Sequence, residues 1–125
     1  QERMQFNPDK VLAAVVAARA AALDLFRDEV PVRDVDAAAR GSLAAAGFGE
    51  YVPYELGHGV GLSAVERPFV RPDSADVLRA GAVVVLAVAV VVPGWGAVRV
   101  ADPVLVGRDR AVPLSTLPVT LAAME

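Results

Sequence analysis

A continuous run of ten apolar residues, most of them β-branched, constrains the fold of this chain more than any other feature. The run covers Val83 to Val92 and shows no polar alternation. It therefore predicts a strand that is buried on both faces. Pro93-Gly94-Trp95-Gly96 predicts a turn, and the alternating segment from Val98 to Val106 predicts the antiparallel partner of a hairpin.

Two helices are expected before this hairpin. Asn7-Pro8-Asp9 is a helix start, and an unbroken run from Lys10 to Arg27 follows it. Val32 to Ala46 predicts the second helix, with Gly47 as the glycine that commonly follows a helix end. The apolar stripe expected on the first helix is Leu12, Val15, Val16, Leu23 and Phe26, and that on the second is Val35, Ala39, Leu43 and Ala46.

The remaining segments are short and are separated by glycine, proline and charged residues. Three glycines surround His58 between Gly57 and Ala64. Glu66 to Asp76 carries two prolines and several charges, which predicts a surface loop. Val112 and Leu114 predict a last strand, and Leu117 to Glu125 a terminal tail or a short helix. This order predicts an α+β fold in which two helices cover one face of an antiparallel sheet.

Length and charge narrow the class of protein. The 125 residues suit one domain spanning positions 1–125. A net charge of −3, without a basic run, argues against a nucleic-acid partner. The absence of cysteine excludes disulfides and thiolate metal sites, and it is compatible with the cytoplasm, where we expect the protein. The longest apolar run, Ala80 to Pro93, is shorter than the about 20 residues of a membrane helix, so no membrane partner is expected.

The apolar content leaves two interpretations open. Hydrophobic residues make up 55% of the chain, but only 6% of the residues are aromatic. Either Ala, Val and Leu build a generous core, or part of the apolar surface meets another domain or subunit. A chain that begins with Gln1 is also expected to be a fragment or a processed product.

Several short segments, taken in this order, carry a resemblance to a known family. They are Arg19 to Leu23, Val35 to Arg40, Gly57 to Leu62, Pro93 to Arg99, and Asp102 followed by Val104-Leu105-Val106. These segments resemble the helices, the signature strand and the final hairpin of the creatinase, prolidase, aminopeptidase P and methionine aminopeptidase family. The resemblance implies the C-terminal half of that family's pita-bread fold, with two helices packed on a curved antiparallel sheet.

The resemblance also implies where the family's metal ligands would fall. Its enzymes hold two metal ions with two Asp, one His and two Glu, and a further His acts as a proton shuttle. His58 matches the His ligand, whereas Val65 matches the shuttle and Ala87 and Ala101 match the two Glu. The two Asp would precede Gln1. A lone imidazole cannot hold a pair of divalent ions, so we expect no metal and no other cofactor.

The resemblance therefore predicts an emptied cleft. His58 is its catalytic candidate, although we favour a hydrogen-bonded structural role for it, given its place between glycines. We interpret Glu66 and Asp102 as loop or sheet-edge charges, and we expect Arg99 to pair with Asp102 or with a neighbour. The residues expected to line the cleft are Val65, Glu66, Ala87, Arg99, Ala101 and Asp102.

Three functions stay open at this point. The favoured one is a non-catalytic binding or scaffold module for a small or peptide-like ligand. The alternatives are a metal-independent hydrolase or biosynthetic enzyme that uses His58, and an Xaa-Pro-type metallopeptidase completed by another chain. Half a pita-bread fold leaves a sheet edge and an apolar face uncovered. We therefore expect a partner, either the N-terminal half-domain, another subunit or a second copy of this chain.

Overall fold

The computed structural model describes residues 6–61, 66–114 and 119–123, the last of these as backbone. Two helices precede six strands, which confirms the α+β class. The helices are α1 (Pro8–Leu23) and α2 (Val32–Ala45), and the strands are β1 (Gly57–Val60), β2 (Glu66–Phe69), β3 (Val83–Val92), β4 (Gly96–Val106), β5 (Ala111–Pro113) and β6 (Val119–Ala123). Within this described part of the chain, neither helix combines the length and the apolarity that a membrane crossing requires.

The start of α1 agrees with the sequence, and its end does not. The Oδ1 atom of Asn7 accepts the backbone N–H of Asp9 at 2.8 Å and that of Lys10 at 3.4 Å. This contact satisfies backbone donors that the first turn leaves without a helical partner. The helix ends at Leu23, four residues before the predicted end at Arg27.

The buried stripe of α1 is also displaced from the predicted one. Its buried residues are Val11, Ala14, Val15, Ala18 and Ala22. Leu12 is only half-buried, and Val16 is 40% exposed. Alanine occurs on several sides of this helix, so a small rotation changes the apolar pattern very little. Only packing against the sheet selects the face.

The second helix follows the prediction closely and buries one unexpected acid. Gly47 adopts a left-handed φ of 95°, as expected of the glycine after a helix end. Val35, Ala39 and Leu43 are buried, whereas Ala46 lies beyond the last turn and is exposed. Asp36 is 1% exposed, and its carboxylate accepts a 2.7 Å hydrogen bond from Arg40. Burial raises the pKa of Asp36, and the contact with Arg40 offsets part of that rise.

All strands pair antiparallel in one sheet with the order β2-β1-β3-β4-β5, and β6 also pairs with β4. The predicted hairpin of β3 and β4 is confirmed, with a register that runs from Val92 opposite Gly96 to Val83 opposite Leu105. Two other predictions are wrong in part. Strand β2 lies in the expected loop, and β6 lies in the expected tail. An edge strand is paired on one side only, so β2 tolerates proline and charge that disguise it in the sequence.

The hairpin has two different faces. Even-numbered residues of β3 and β4 point to the helices, which we call the helix face, and they are buried. Odd-numbered residues point the other way, to what we call the open face, because side chains alternate along a strand. The core lies between the helices and the helix face, and it includes Phe26, Leu43, Leu56, Leu78 and Leu86.

Candidate ligand pocket on the open face of the sheet

A cavity of about 260 Å³ lies on the open face, where β1, β3 and β4 run side by side. Its polar side chains are Glu55, His58 and Arg99, and all other lining residues are small or apolar. The full lining is Pro53, Glu55, Gly57, His58, Ala87, Ala89, Val91, Ala97 and Arg99.

Alanine forms the floor of this pocket. Ala87 and Ala89 on β3 and Ala97 on β4 line it, and none has a polar side-chain atom. Ala101 lies directly opposite Ala87 in the register of the hairpin. Directly opposed Cβ atoms are about 5 Å apart, so the two positions that match the family's glutamates are neighbours on one surface.

His58 lies on β1 opposite Val85 and therefore belongs to the open face. Its Nδ1 atom is 3.1 Å from the carbonyl oxygen of Gly59, and the ring is half-buried. A carbonyl oxygen only accepts, so the contact suits the tautomer with the proton on Nδ1. In that tautomer Nε2 is the acceptor.

The glycines around His58 have a packing explanation. A Cβ atom on Gly57 would collide with the carbonyl oxygen of Val85, and one on Gly59 would collide with that of Arg67. Glycine therefore lets β1 approach the strands on both of its sides. The same close approach fixes the position of the imidazole between them.

The two charged side chains of the pocket differ in their partners. Glu55 Oε1 accepts hydrogen bonds from Arg71, at 3.1 Å from Nε and at 2.7 Å from Nη2. Arg99 is exposed and forms no ion pair with any residue that the structure describes. The pocket thus combines a neutralised acid with a cation that has no protein counter-ion in this part of the chain.

Asp102 does not lie in the cleft, contrary to the prediction. It is 1% exposed on the helix face, where its carboxylate accepts 3.1 Å and 2.8 Å hydrogen bonds from Nε and Nη2 of Arg19. The predicted pair between Arg99 and Asp102 is also wrong. Residues three apart on a strand point to opposite faces, so these two side chains cannot meet across the sheet.

The other cleft-lining candidates have different locations. Glu66 is exposed on the edge strand β2, with its carboxylate beside Gly61, and it is not among the lining residues of the pocket. It is therefore a sheet-edge charge. Ala101 adjoins the pocket floor through its partner Ala87. Val65 lies outside the described residues.

The donor atoms do not fit a dinuclear metal. Alanine at positions 87 and 101 supplies no ligand, and His58 is the single histidine of the chain. In the parts of the chain that the structure describes, no three His, Asp or Glu side chains converge in a way that would hold an ion. One imidazole beside an arginine-bound glutamate is not a site for hard divalent cations.

Sequence reasoning missed six of the nine lining residues, and a signal exists for three of them. Once the hairpin register is known, the period of two places Ala89, Val91 and Ala97 on the same face as Ala87. Gly57 was noted only as part of the motif around His58. Pro53 and Glu55 lie in the irregular segment before β1, where no periodicity indicates which way a side chain points.

The fold is that of the C-terminal half of a pita-bread domain, and comparison with known proteins identifies the family. The model of metallopeptidase family M24 matches residues 4–108. The chain belongs to this family, which confirms the resemblance seen in its motifs. It is 36% identical over 117 residues to YkvY of Bacillus subtilis (strain 168), which is provisionally named a dipeptidase; the match covers 92% of this chain and 32% of that protein.

Solved structures agree with this assignment. A dipeptidase from Pyrococcus horikoshii OT3 superposes with a TM-score of 0.82 at 32% identity, over 93% of this chain and 32% of that one. The prolidase from Pyrococcus furiosus gives a TM-score of 0.82 at 29% identity, over 86% of this chain and 32% of its own length. The chain therefore spans about a third of the relatives that it matches.

Proposed function

We propose that this chain is a degenerate metallopeptidase-like domain that no longer binds a dinuclear metal and acts as a non-catalytic binding or scaffold module. One observation carries the proposal. Ala87 and Ala101 are paired on the open face at the positions that match the family's two glutamates, so the wall that would hold metal has no ligand atoms. The same substitution leaves an apolar pocket in the cleft.

The proposal includes a partner for the open face. Val60, which shares the face of His58, is 40% exposed, and Val85 and Val91 are only half-buried. Apolar surface of this kind favours contact with another domain or subunit. An N-terminal half-domain, a different subunit or a second copy would each cover it. The partner and the cytoplasmic location stay predictions.

Native mass spectrometry after incubation with Mn²⁺, Co²⁺ or Zn²⁺ tests the proposal, because one spectrum reports both metal and assembly. We expect no stoichiometric metal, and a dimer or a complex with another chain. Two ions per chain or per complex would overturn the proposal and favour a peptidase whose ligands come from elsewhere. A monodisperse, soluble monomer would contradict the predicted partner.

The double variant Ala87→Glu with Ala101→Glu is the matched control for this experiment. It places two glutamate side chains, with Cβ atoms about 5 Å apart, on the same face as His58. We expect it to bind at least one divalent ion when an N-terminal half-domain of this family is supplied. If the variant gains no metal, then positions 87 and 101 do not match the family's ligands.

A metal-independent enzyme is the second candidate, because the imidazole of His58 lines the pocket with Nε2 as an acceptor. His58→Ala separates the two candidates. If His58 is structural, neither the unmodified protein nor the variant should hydrolyse dipeptides. The variant should then lose about 1 kcal/mol of unfolding free energy with the hydrogen bond. Turnover in the unmodified protein that disappears in a folded His58→Ala variant would favour the enzyme.

A further inference from the structure

We propose that the pocket on the open face binds a small molecule with a carboxylate at one end and a neutral apolar body, with Arg99 as the group that recognises the carboxylate. This inference rests on the proposed function, because the ligand would lie over the floor that the alanines leave free of side-chain donors. An N-acylated amino acid is the simplest molecule of this chemical class.

Arg99 supplies the first argument. It rises from the middle of β4, and it lines a pocket that is otherwise almost entirely apolar. Among the arginines of the described residues that form no ion pair, Arg99 differs because it lines this pocket, and four other arginines each meet a carboxylate of the same chain. These pairs are Arg19 with Asp102, Arg40 with Asp36, Arg67 with Asp76, and Arg71 with Glu55. A guanidinium beside an apolar floor matches a carboxylate geometrically and electrostatically.

The floor supplies the second argument. Ala87, Ala89 and Ala97 offer methyl groups only, and the backbone around them belongs to the paired strands β3 and β4. Polar atoms placed over this floor would lose water without gaining a partner. The central part of a ligand must therefore be apolar. The volume of about 260 Å³ lies just below the range of about 300–1,000 Å³ for drug-sized clefts, which limits the ligand to a small molecule.

The far end of the pocket supplies the third argument. His58 lies opposite Val85 of β3, and Arg99 lies opposite Ala89 of the same strand. These two positions of β3 are four residues apart, which corresponds to about 13 Å along the strand. The imidazole acceptor at this end suits a neutral N–H donor. The only acid among the lining residues, Glu55, is already neutralised by Arg71. The pocket therefore favours an amide over a free ammonium group, unlike a site for the free amino end of a peptide.

N-acetyl-L-valine and its uncharged counterpart N-acetyl-L-valinamide test this inference by isothermal titration calorimetry. We expect the acid to bind. The affinity for the amide should be lower by a factor of about ten or more, since a charge-assisted hydrogen bond is lost. The single histidine gives a second readout, because saturation with the acid should shift the NMR signals of the His58 ring.

Three variants locate the contact. Arg99→Gln should lower the affinity for the acid to that for the amide, and Ala89→Leu should abolish binding of both by filling the floor. Arg108→Gln is the matched control, because Arg108 is an exposed arginine in a turn and does not line the pocket. Circular dichroism and thermal melting establish that each variant is folded.

Several outcomes would overturn the inference. They are no binding of the acid at millimolar concentration, equal binding of acid and amide, and an equal loss of affinity in Arg99→Gln and Arg108→Gln. Each of these leaves the proposed function standing if the protein remains free of metal. Stoichiometric metal binding, in contrast, would refute the proposed function whatever the acid does.

Discussion

Ala101 and Asp102 are neighbours on β4, yet they belong to two different chemical environments. Asp102 points to the helix face, where it is buried and pairs with Arg19. Ala101 points to the open face, next to the pocket floor. The helix face contains an intact charged pair inside a valine-rich core, whereas the open face has no acid at the positions that match the metal ligands.

The contrast shows that the packed core and the candidate pocket lie on opposite faces of the same sheet. The helix face determines stability, because the helices pack there and the sheet is held against them. The open face contributes little to the core, so alanine at positions 87 and 101 is compatible with the architecture. Substitutions on the helix face should therefore destabilise the protein, and those on the open face should change binding.

The largest expected effect comes from Asp102→Ala. Removal of the carboxylate leaves the guanidinium of Arg19 largely buried without its partner, and breaking such a pair costs about 3–5 kcal/mol. Urea unfolding measures this loss. Ala101→Ser, one residue away on the open face, is the control and should change the free energy of unfolding by less than about 0.5 kcal/mol. Equal effects of the two variants would contradict the division into two faces.

A smaller difference is expected between two adjacent residues of β3. Leu86 is fully buried on the helix face, so Leu86→Ala should cost about 2–4 kcal/mol through lost contacts and a cavity. Val85 is half-buried on the open face, and Val85→Ala should cost about 1 kcal/mol or less. Thermal and urea unfolding of both variants provide the comparison. A larger cost at Val85 would show that a partner covers the open face in the assay.

The smallest effect concerns the pH dependence of Asp36. Burial raises its pKa, so the folded state favours the protonated acid. Its stabilising contribution is complete below the unfolded pKa and is lost as pH rises through the folded pKa. The Asp36→Asn variant is neutral at every pH. As the pH is raised from acidic to neutral, its melting temperature should therefore increase relative to that of the unmodified protein. A difference that does not change with pH would refute this explanation.

The sequence predicted part of the pocket, and the limits of that prediction have physical causes. His58, Ala87 and Arg99 were identified by their match to family motifs. Asp102 was assigned to the wrong face, although the period of two places it with Val100 and Val104. A charged residue is expected on a buried face only when its partner is known, and Arg19 is far away in the sequence. Glu55 was missed, since an irregular segment has no period.

The sequence by itself determined the helices, the central hairpin, the family and the alanines at positions 87 and 101. These features depend on local signals, such as the cap at Asn7, the glycine at position 47 and the continuous valine run. The tertiary structure alone decided the buried stripe of α1, the pairing of β2 and β6, and the partner of Asp102. Each of these depends on contacts between residues far apart in the chain, and an alanine-rich or edge segment has several local arrangements of similar energy.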